Sequence, residues 1–167
     1  MKMKFFFIFL IFISACNNAT EKKYEEQSTD YNSQTSFDIK SLAKRANSFY
    51  EQEDFQKAVI SYDSLILVDS TKAGYFFKRG YCKSMLLDKA AAIPDYKKSI
   101  ELNYSGKQTA YQNIGELYQL VLRKYDSAIY YYNECLKIEP HNETAIKGKE
   151  ESIKRLIKLK TLYTKPL

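Results

Sequence analysis

Small residues return at a spacing of 34 in this chain: Ala46 is followed by Gly80, and Ala58 by Ala92. A first kind of triple sets a small residue between bulky neighbours at i−4 and i+3. Leu42-Ala46-Phe49 and Tyr111-Gly115-Tyr118 show it, and Phe76-Gly80-Lys83 shows it with a departure at the third place. About twelve residues later comes a second kind: Ala58-Tyr62-Leu65, Ala92-Tyr96-Ser99 and Ala128-Tyr132-Cys135. Steps of three and four place each triple on one face of a helix. A small central residue lets two helix backbones approach closely while the large flanks fill the space beside it. The pattern therefore predicts helix pairs that stack on one another, because a single pair cannot bury its own apolar face.

Composition agrees with helices. Five glycines, three prolines and no tryptophan in 167 residues leave little material for a turn-rich sheet protein, and 28% charged residues suit a soluble domain. The length allows one domain plus tails. The formal charge of +6 is carried at the ends, by Lys2 and Lys4 and by the stretch from Lys147 to Lys165, where seven basic residues stand against Glu150 and Glu151 only. Without them the body is nearly neutral, and a nucleic-acid partner is not expected, since such proteins carry a basic stripe through the fold.

The helix-pair period resembles the tetratricopeptide repeat, a pattern of large residue, Leu-Gly, Tyr, Ala, Phe and Pro at set offsets. The resemblance covers units of about 39–72, 73–106 and 108–142, and the third matches best through Tyr111, Ile114-Gly115, Tyr118, Tyr125, Ala128, Tyr132 and Pro140. It implies an all-α solenoid of three helix pairs over residues 38–163, closed by an amphipathic capping helix at about 143–162, with 164–167 as a tail. The expected packing positions are Leu42, Ala46, Phe49, Ala58, Tyr62, Phe76, Gly80, Ala92, Tyr96, Tyr111, Gly115, Tyr118, Ala128, Tyr132 and Pro140. One residue is inserted near positions 104–107 and another in the turn around 122–125. Lys83 replaces an aromatic, and Pro94 should delay or kink the helix it begins, because proline lacks an N–H and crowds the preceding turn. Asp54 and Asp88 are expected to cap second helices, and Ser70 and Ser105 first helices.

The first sixteen residues follow a different logic. Lys2 and Lys4 precede an unbroken apolar run over residues 5–13, which then ends in Ile13-Ser14-Ala15-Cys16. The run is shorter than the roughly 20 residues that span a bilayer and suits the core of a signal peptide. An aliphatic residue, two small residues and Cys resemble the bacterial lipobox. That resemblance implies removal of residues 1–15 and fatty acylation of Cys16, which anchors the chain because each buried CH₂ contributes about 0.8 kcal/mol. Residues 17–36 hold no Leu, Ile, Val, Phe or Met and cannot bury enough apolar surface to order themselves. Residues 16–37 thus read as the lipidated Cys and a flexible tether of roughly 25 Å mean reach. Asn17 is not the aspartate associated with inner-membrane retention, which favours the outer membrane.

Catalytic constellations are not expected. His141 stands alone in a turn, so no zinc site of the usual kind can form, and no phosphate loop or nucleophile elbow is present. No metal or cofactor is expected. Cys82 and Cys135 read as small packing residues within helices. The C-terminal lysines admit two readings: the polar face of a capping helix, which the pattern favours, or attraction to anionic lipid or an acidic partner.

In the tetratricopeptide resemblance the first helix of each unit lines a concave face. Carried over by register, that face takes Lys40, Lys44, Asn47, Tyr50 and Glu51 from the first unit. Phe77, Lys78, Tyr81 and Met85 follow from the second, and Gln112, Asn113, Glu116 and Gln119 from the third. Phe77, Tyr81 and Met85 are large apolar groups that either contact a ligand or pack between helices. Some members of the family hold a partner's terminal carboxylate through Lys, Asn and Arg. Asn47 and Lys78 fit that clamp, but Ala43, Thr109 and Asn113 depart from it. The reading is a non-enzymatic, lipid-anchored adaptor for a protein or peptide partner at the cell envelope. The alternative is a surface lipoprotein that binds a glycan or small molecule through its tyrosines.

Overall fold

The computed structural model describes residues 38–163. Cys16, the leader, the segment up to residue 37 and the tail 164–167 lie outside the described residues. By compactness the chain divides after Ser41 into residues 1–41 and 42–167.

Seven α-helices and no strand occur among the described residues. Helix α1 covers residues 38–51, followed by α2 (Phe55–Val68), α3 (Ala73–Met85), α4 (Ile93–Glu101), α5 (Lys107–Glu116), α6 (Tyr125–Ile138) and α7 (Glu143–Tyr163). Consecutive helices pack on one another: α2 on α3, α3 on α4, α4 on α5, α5 on α6 and α6 on α7. This is the expected all-α solenoid of three helix pairs closed by a terminal helix.

The small residues decide how closely the helices approach. Ala46, Ala58, Ala92 and Ala128 are fully buried, as are Tyr62, Tyr96 and Tyr132 beside them, and Phe76 and Gly80 are buried too. A β-carbon on Gly80 would lie 3.2 Å from Asp95 Cβ and 3.3 Å from both the Ala92 carbonyl oxygen and Tyr96 Cδ1. One on Gly115 would lie 2.8 Å from two carbons of the Tyr132 ring. Leu42, Phe49, Tyr111 and Tyr118 are only half-buried. Pro140 departs from its expected packing role. It is exposed in the turn between α6 and α7, where its missing N–H serves only to end the helix before it.

The caps and insertions correct several expectations. Asp54 caps α2, its Oδ1 accepting from the Lys57 N–H at 3.3 Å. Asp88 precedes a short 3₁₀ turn, Lys89–Ala92, without a side-chain cap bond, and α4 starts only at Ile93 with Pro94 in its first turn. Proline thus delays the helix without kinking it, because the first-turn N–H groups have no intrahelical partner to lose. Ser70 and Ser105 cap nothing: the residues preceding α3 and α5 are Lys72 and Gly106. The second insertion lies inside a helix and not in the turn that follows. α5 runs on into a π-helical stretch, Leu117–Val121, where one extra residue is absorbed by i→i+5 bonding such as Leu122 N–H to Leu117 O at 3.0 Å.

The position of Lys83, where an aromatic was expected, is explained by charge. Arg79 donates to Asp95 through Nε at 2.9 Å and through a second nitrogen at 2.5 Å, and to Asp63 at 2.7 Å. Lys83 Nζ lies 2.9 Å from Asp95, whose side chain is 5% exposed. One buried carboxylate therefore ties α3 to α4, and Arg79 extends the network to α2.

Candidate functional site

The first helices present their inner register along one face, and the structure joins part of the expected set into a connected surface. Asn47 on α1 accepts from Tyr62 Oη at 2.9 Å and from Lys78 Nζ at 2.6 Å. The same ammonium lies 5.4 Å from the centre of the Tyr50 ring, a favourable cation–π position. Tyr50 packs against Tyr81 with ring centres 5.4 Å apart, and Phe55 meets Tyr81 edge-on at 6.1 Å. Burial, and then the neighbouring Tyr81, pushes the Tyr50 hydroxyl above its ordinary range. It stays a neutral hydrogen-bonding group.

Beyond Tyr81 the surface opens into a cleft of about 210 Å³ between α3 and α5. Its apolar walls are Tyr81, Met85, Leu117, Leu120 and Val121, and its polar rim is Ser84, Lys89, Asn113 and Glu116. Met85 is 47% and Leu120 70% exposed, so these side chains stand in solvent although a solenoid core does not require them. A hollow of about 510 Å³ lies over Tyr130, Asn133, Glu134, Leu136 and Lys137. All its lining comes from one helix, α6, so it has no opposing wall to hold a ligand.

The expected inner-face residues divide into three groups. Tyr81, Met85, Asn113 and Glu116 line the cleft. Asn47, Tyr50 and Lys78 form the patch beside it, and Lys44 is exposed on α1. Gln112 is turned to other work, donating to Glu116 at 3.0 Å and accepting from Asn142 at 3.1 Å. Phe77 takes the packing alternative: it is buried, stacked on Tyr104 at 4.4 Å and tilted against Tyr96 at 5.5 Å. It cannot contact a ligand, because the Tyr104 ring from the α4–α5 connection covers it. Gln119 is likewise buried, accepting from Tyr132 Oη at 2.6 Å.

Sequence reasoning missed Ser84, Lys89, Leu117, Leu120 and Val121. Leu120 stands five residues after Gly115 as Met85 stands five after Gly80, so the repeat register did hold a signal for it. Lys89 and Val121 had none, since a 3₁₀ turn and a π-helical stretch put them at the cleft. Among the described residues no group of three or more His, Cys, Asp or Glu could hold a metal ion.

This arrangement of paired helices around small residues has counterparts among known proteins. Residues 108–142 match the tetratricopeptide repeat (TPR). The solenoid fold is that of TPR domains: the Arabidopsis OM64 TPR domain superposes with a TM-score of 0.62 at 23% identity, over 70% of this chain and 94% of that one. The first TPR of Spaghetti (RPAP3), bound to an HSP90 peptide, superposes with a TM-score of 0.64 at 22% identity, over 71% of this chain and 93% of that one. In sequence, the Hsp70-Hsp90 organizing protein 3 of Arabidopsis thaliana is 25% identical over 142 residues, which is 85% of this chain and 25% of that protein. The chain thus spans about a quarter of the length of that relative.

Proposed function

We propose that this chain is a lipid-anchored, non-enzymatic adaptor that holds an extended peptide segment of a partner protein in the α3–α5 cleft. The observation that carries the reading is the cleft itself, where Tyr81, Met85 and Leu120 offer an apolar slot and Lys89 and Glu116 stand as opposite charges on its rim. Apolar slots with few polar groups bind a large side chain of a partner, and the polar groups fix its direction. A similar fold bound to an HSP90 peptide supports a peptide as the ligand. A carboxylate clamp is not part of the proposal, because Lys78 is already engaged by Asn47 at 2.6 Å and positions 43, 109 and 113 are uncharged.

Anchoring is supported by Lys2, Lys4, the apolar run and Ile13-Ser14-Ala15-Cys16. With Cys16 acylated, the adaptor works at the bacterial cell envelope, on the outer membrane. Two measurements test the two halves. Cross-linking in intact cells should recover a protein partner that is lost in Met85→Ala and Leu120→Ala, both exposed side chains, while the melting temperature stays within a degree or two. Retention of the same partner by both variants, or stabilisation by glycans and not by peptides in thermal-shift panels, would sink the peptide reading. Fatty-acid labelling should mark the wild-type chain and vanish in Cys16→Ser; unlabelled wild type removes the anchor alone.

A further inference from the structure

The terminal helix does more than close the last repeat. Its first half packs as a solenoid helix should: Ala145 and Ser152 are fully buried, and Ala145 joins the core of Ala128, Tyr132 and Cys135 on α6. The second half leaves that core. From residue 153 to 162 every residue except Leu156 is exposed, including Ile153 at 36%, Ile157 at 57%, Leu159 at 39% and Leu162 at 61%. A capping helix that only needed solubility would carry polar residues there.

Charge in the same stretch is of one sign. Residues 152–163 contain Lys154, Arg155, Lys158 and Lys160 and no acid, and none follows to the end of the chain. Ile153, Leu156 and Ile157 are spaced three and four apart and share a face. Lys154 borders Ile157 on one edge of that face and Arg155 borders Leu159 on the other, while Lys160 stands on the face itself one turn beyond Leu156 and Ile157. Arg155 pairs with Glu151 at 2.7 Å on the exposed surface. No helix among the described residues is long and apolar enough to cross a membrane. An apolar face edged by cations lies in the plane of a bilayer interface instead, with the aliphatic groups at the acyl boundary and the cations among acidic headgroups.

We infer that the second half of α7 docks on an anionic lipid surface. The occupant is chosen by charge: a stretch rich in cations and without an acid is complementary to acidic headgroups, and most of its aliphatic groups stand exposed outside the solenoid core. The inference rests on the anchored reading for one point only, the supply of a membrane. Acylated at Cys16, the chain places Asp38 no further from the bilayer than 22 extended residues, at most about 80 Å. A weak helix–lipid contact then becomes an intramolecular one, favoured by a high effective concentration.

The test uses the mature chain, residues 16–167, with Cys16→Ser, so that neither an acyl group nor the apolar leader contributes, and vesicles of phosphatidylcholine with or without phosphatidylglycerol. Partition should rise at least tenfold with the anionic lipid. Adding Lys154→Gln and Lys158→Gln should remove roughly 25-fold of the anionic binding, at about fivefold per cation. Ile153→Ser with Ile157→Ser should weaken it too. All four positions are exposed, so helicity should be unchanged, and hydrogen exchange over residues 152–163 should slow on anionic vesicles in the parent chain alone. Equal partition into both vesicles, no response to the lysine changes, or capture of an acidic protein at this helix in place of lipid would each overturn the inference. Fatty-acid labelling of Cys16 is read separately, so loss of the anchor and loss of the docking face give different results.

Discussion

Tyr132 is the residue on which two helix contacts turn. Its ring is buried between Gly115 on α5 and Gly148 on α7, and its hydroxyl donates to Gln119 at 2.6 Å. A β-carbon on Gly115 would meet the ring at 2.8 Å, and one on Gly148 would meet Tyr132 Cζ more closely still. Neither glycine is there for its backbone freedom, since no glycine has a positive φ. Both are there because the ring leaves no room for a methyl group. Gly115→Ala and Gly148→Ala should each lower stability by roughly 1–3 kcal/mol, as overpacking does, and Gly148→Ala should cost the more. Gly80→Ala should cost less than either, because its tightest contact is 3.2 Å. Urea unfolding of the three variants checks the order; a neutral Gly148→Ala would contradict it.

Between elements, the contacts that set the helix pairs apart are the ones that break the repeat. Asp95 gathers Arg79 and Lys83 from α3, and at 5% side-chain exposure it is the most enclosed member of the network. Removing it would leave two cations facing a low-dielectric contact without an anion. Asp95→Ala should therefore destabilise by about 3 kcal/mol, seen as a fall in the urea midpoint at unchanged slope. Asp63→Ala should cost well under that, because the Asp63 side chain is 50% exposed and its share is screened by solvent. An equal effect of the two would show that the network is not centred on Asp95. Lys83 looked like a defect in the pattern only while Asp95, twelve residues away in sequence, was not known to face it. The π-helical stretch is a similar case: thirteen residues separate Gly115 from Ala128 where twelve separate Gly80 from Ala92. That count shows an extra residue, but the sequence does not say whether the turn or the helix takes it up.

Across the whole molecule the buried thiols and phenols make the domain sensitive to alkali. Burial pushes the Cys82 and Cys135 thiols from 9.0 up to about 11, the Tyr96 hydroxyl from 10.0 up to about 12, and the Tyr62 and Tyr132 hydroxyls higher as well. Each group keeps its proton longer in the folded chain than in the unfolded one. Stability is therefore full below pH 9 and falls as the pH rises from 9 towards 12, where the unfolded state binds fewer protons. The melting temperature should be flat from pH 7 to 8.5 and drop steadily from pH 9 to 11; a flat profile to pH 11 would show that these groups titrate in the folded state without cost. The same burial leaves both free cysteines slow to react with alkylating reagents until the chain unfolds.

The amino-acid sequence by itself determined the helix pairs, their number and the small residues at their crossings. Steps of three and four put those residues on one face whatever the rest of the chain does. Tyr81, Met85, Asn113 and Glu116 were legible as inner-face groups for the same reason: register within a helix is a local property. What lay beyond it depends on residues distant in sequence or on departures from the regular helix. Tyr104 covers Phe77, Asp95 employs Lys83, and a 3₁₀ turn and a π-helical stretch bring Lys89 and Val121 to the cleft. Only tertiary structure decided these, because a periodic pattern says which way a side chain points and not what meets it there. The second half of α7 marks the same boundary, since Ile153, Ile157, Leu159 and Leu162 carry the core's pattern while the fold leaves them exposed.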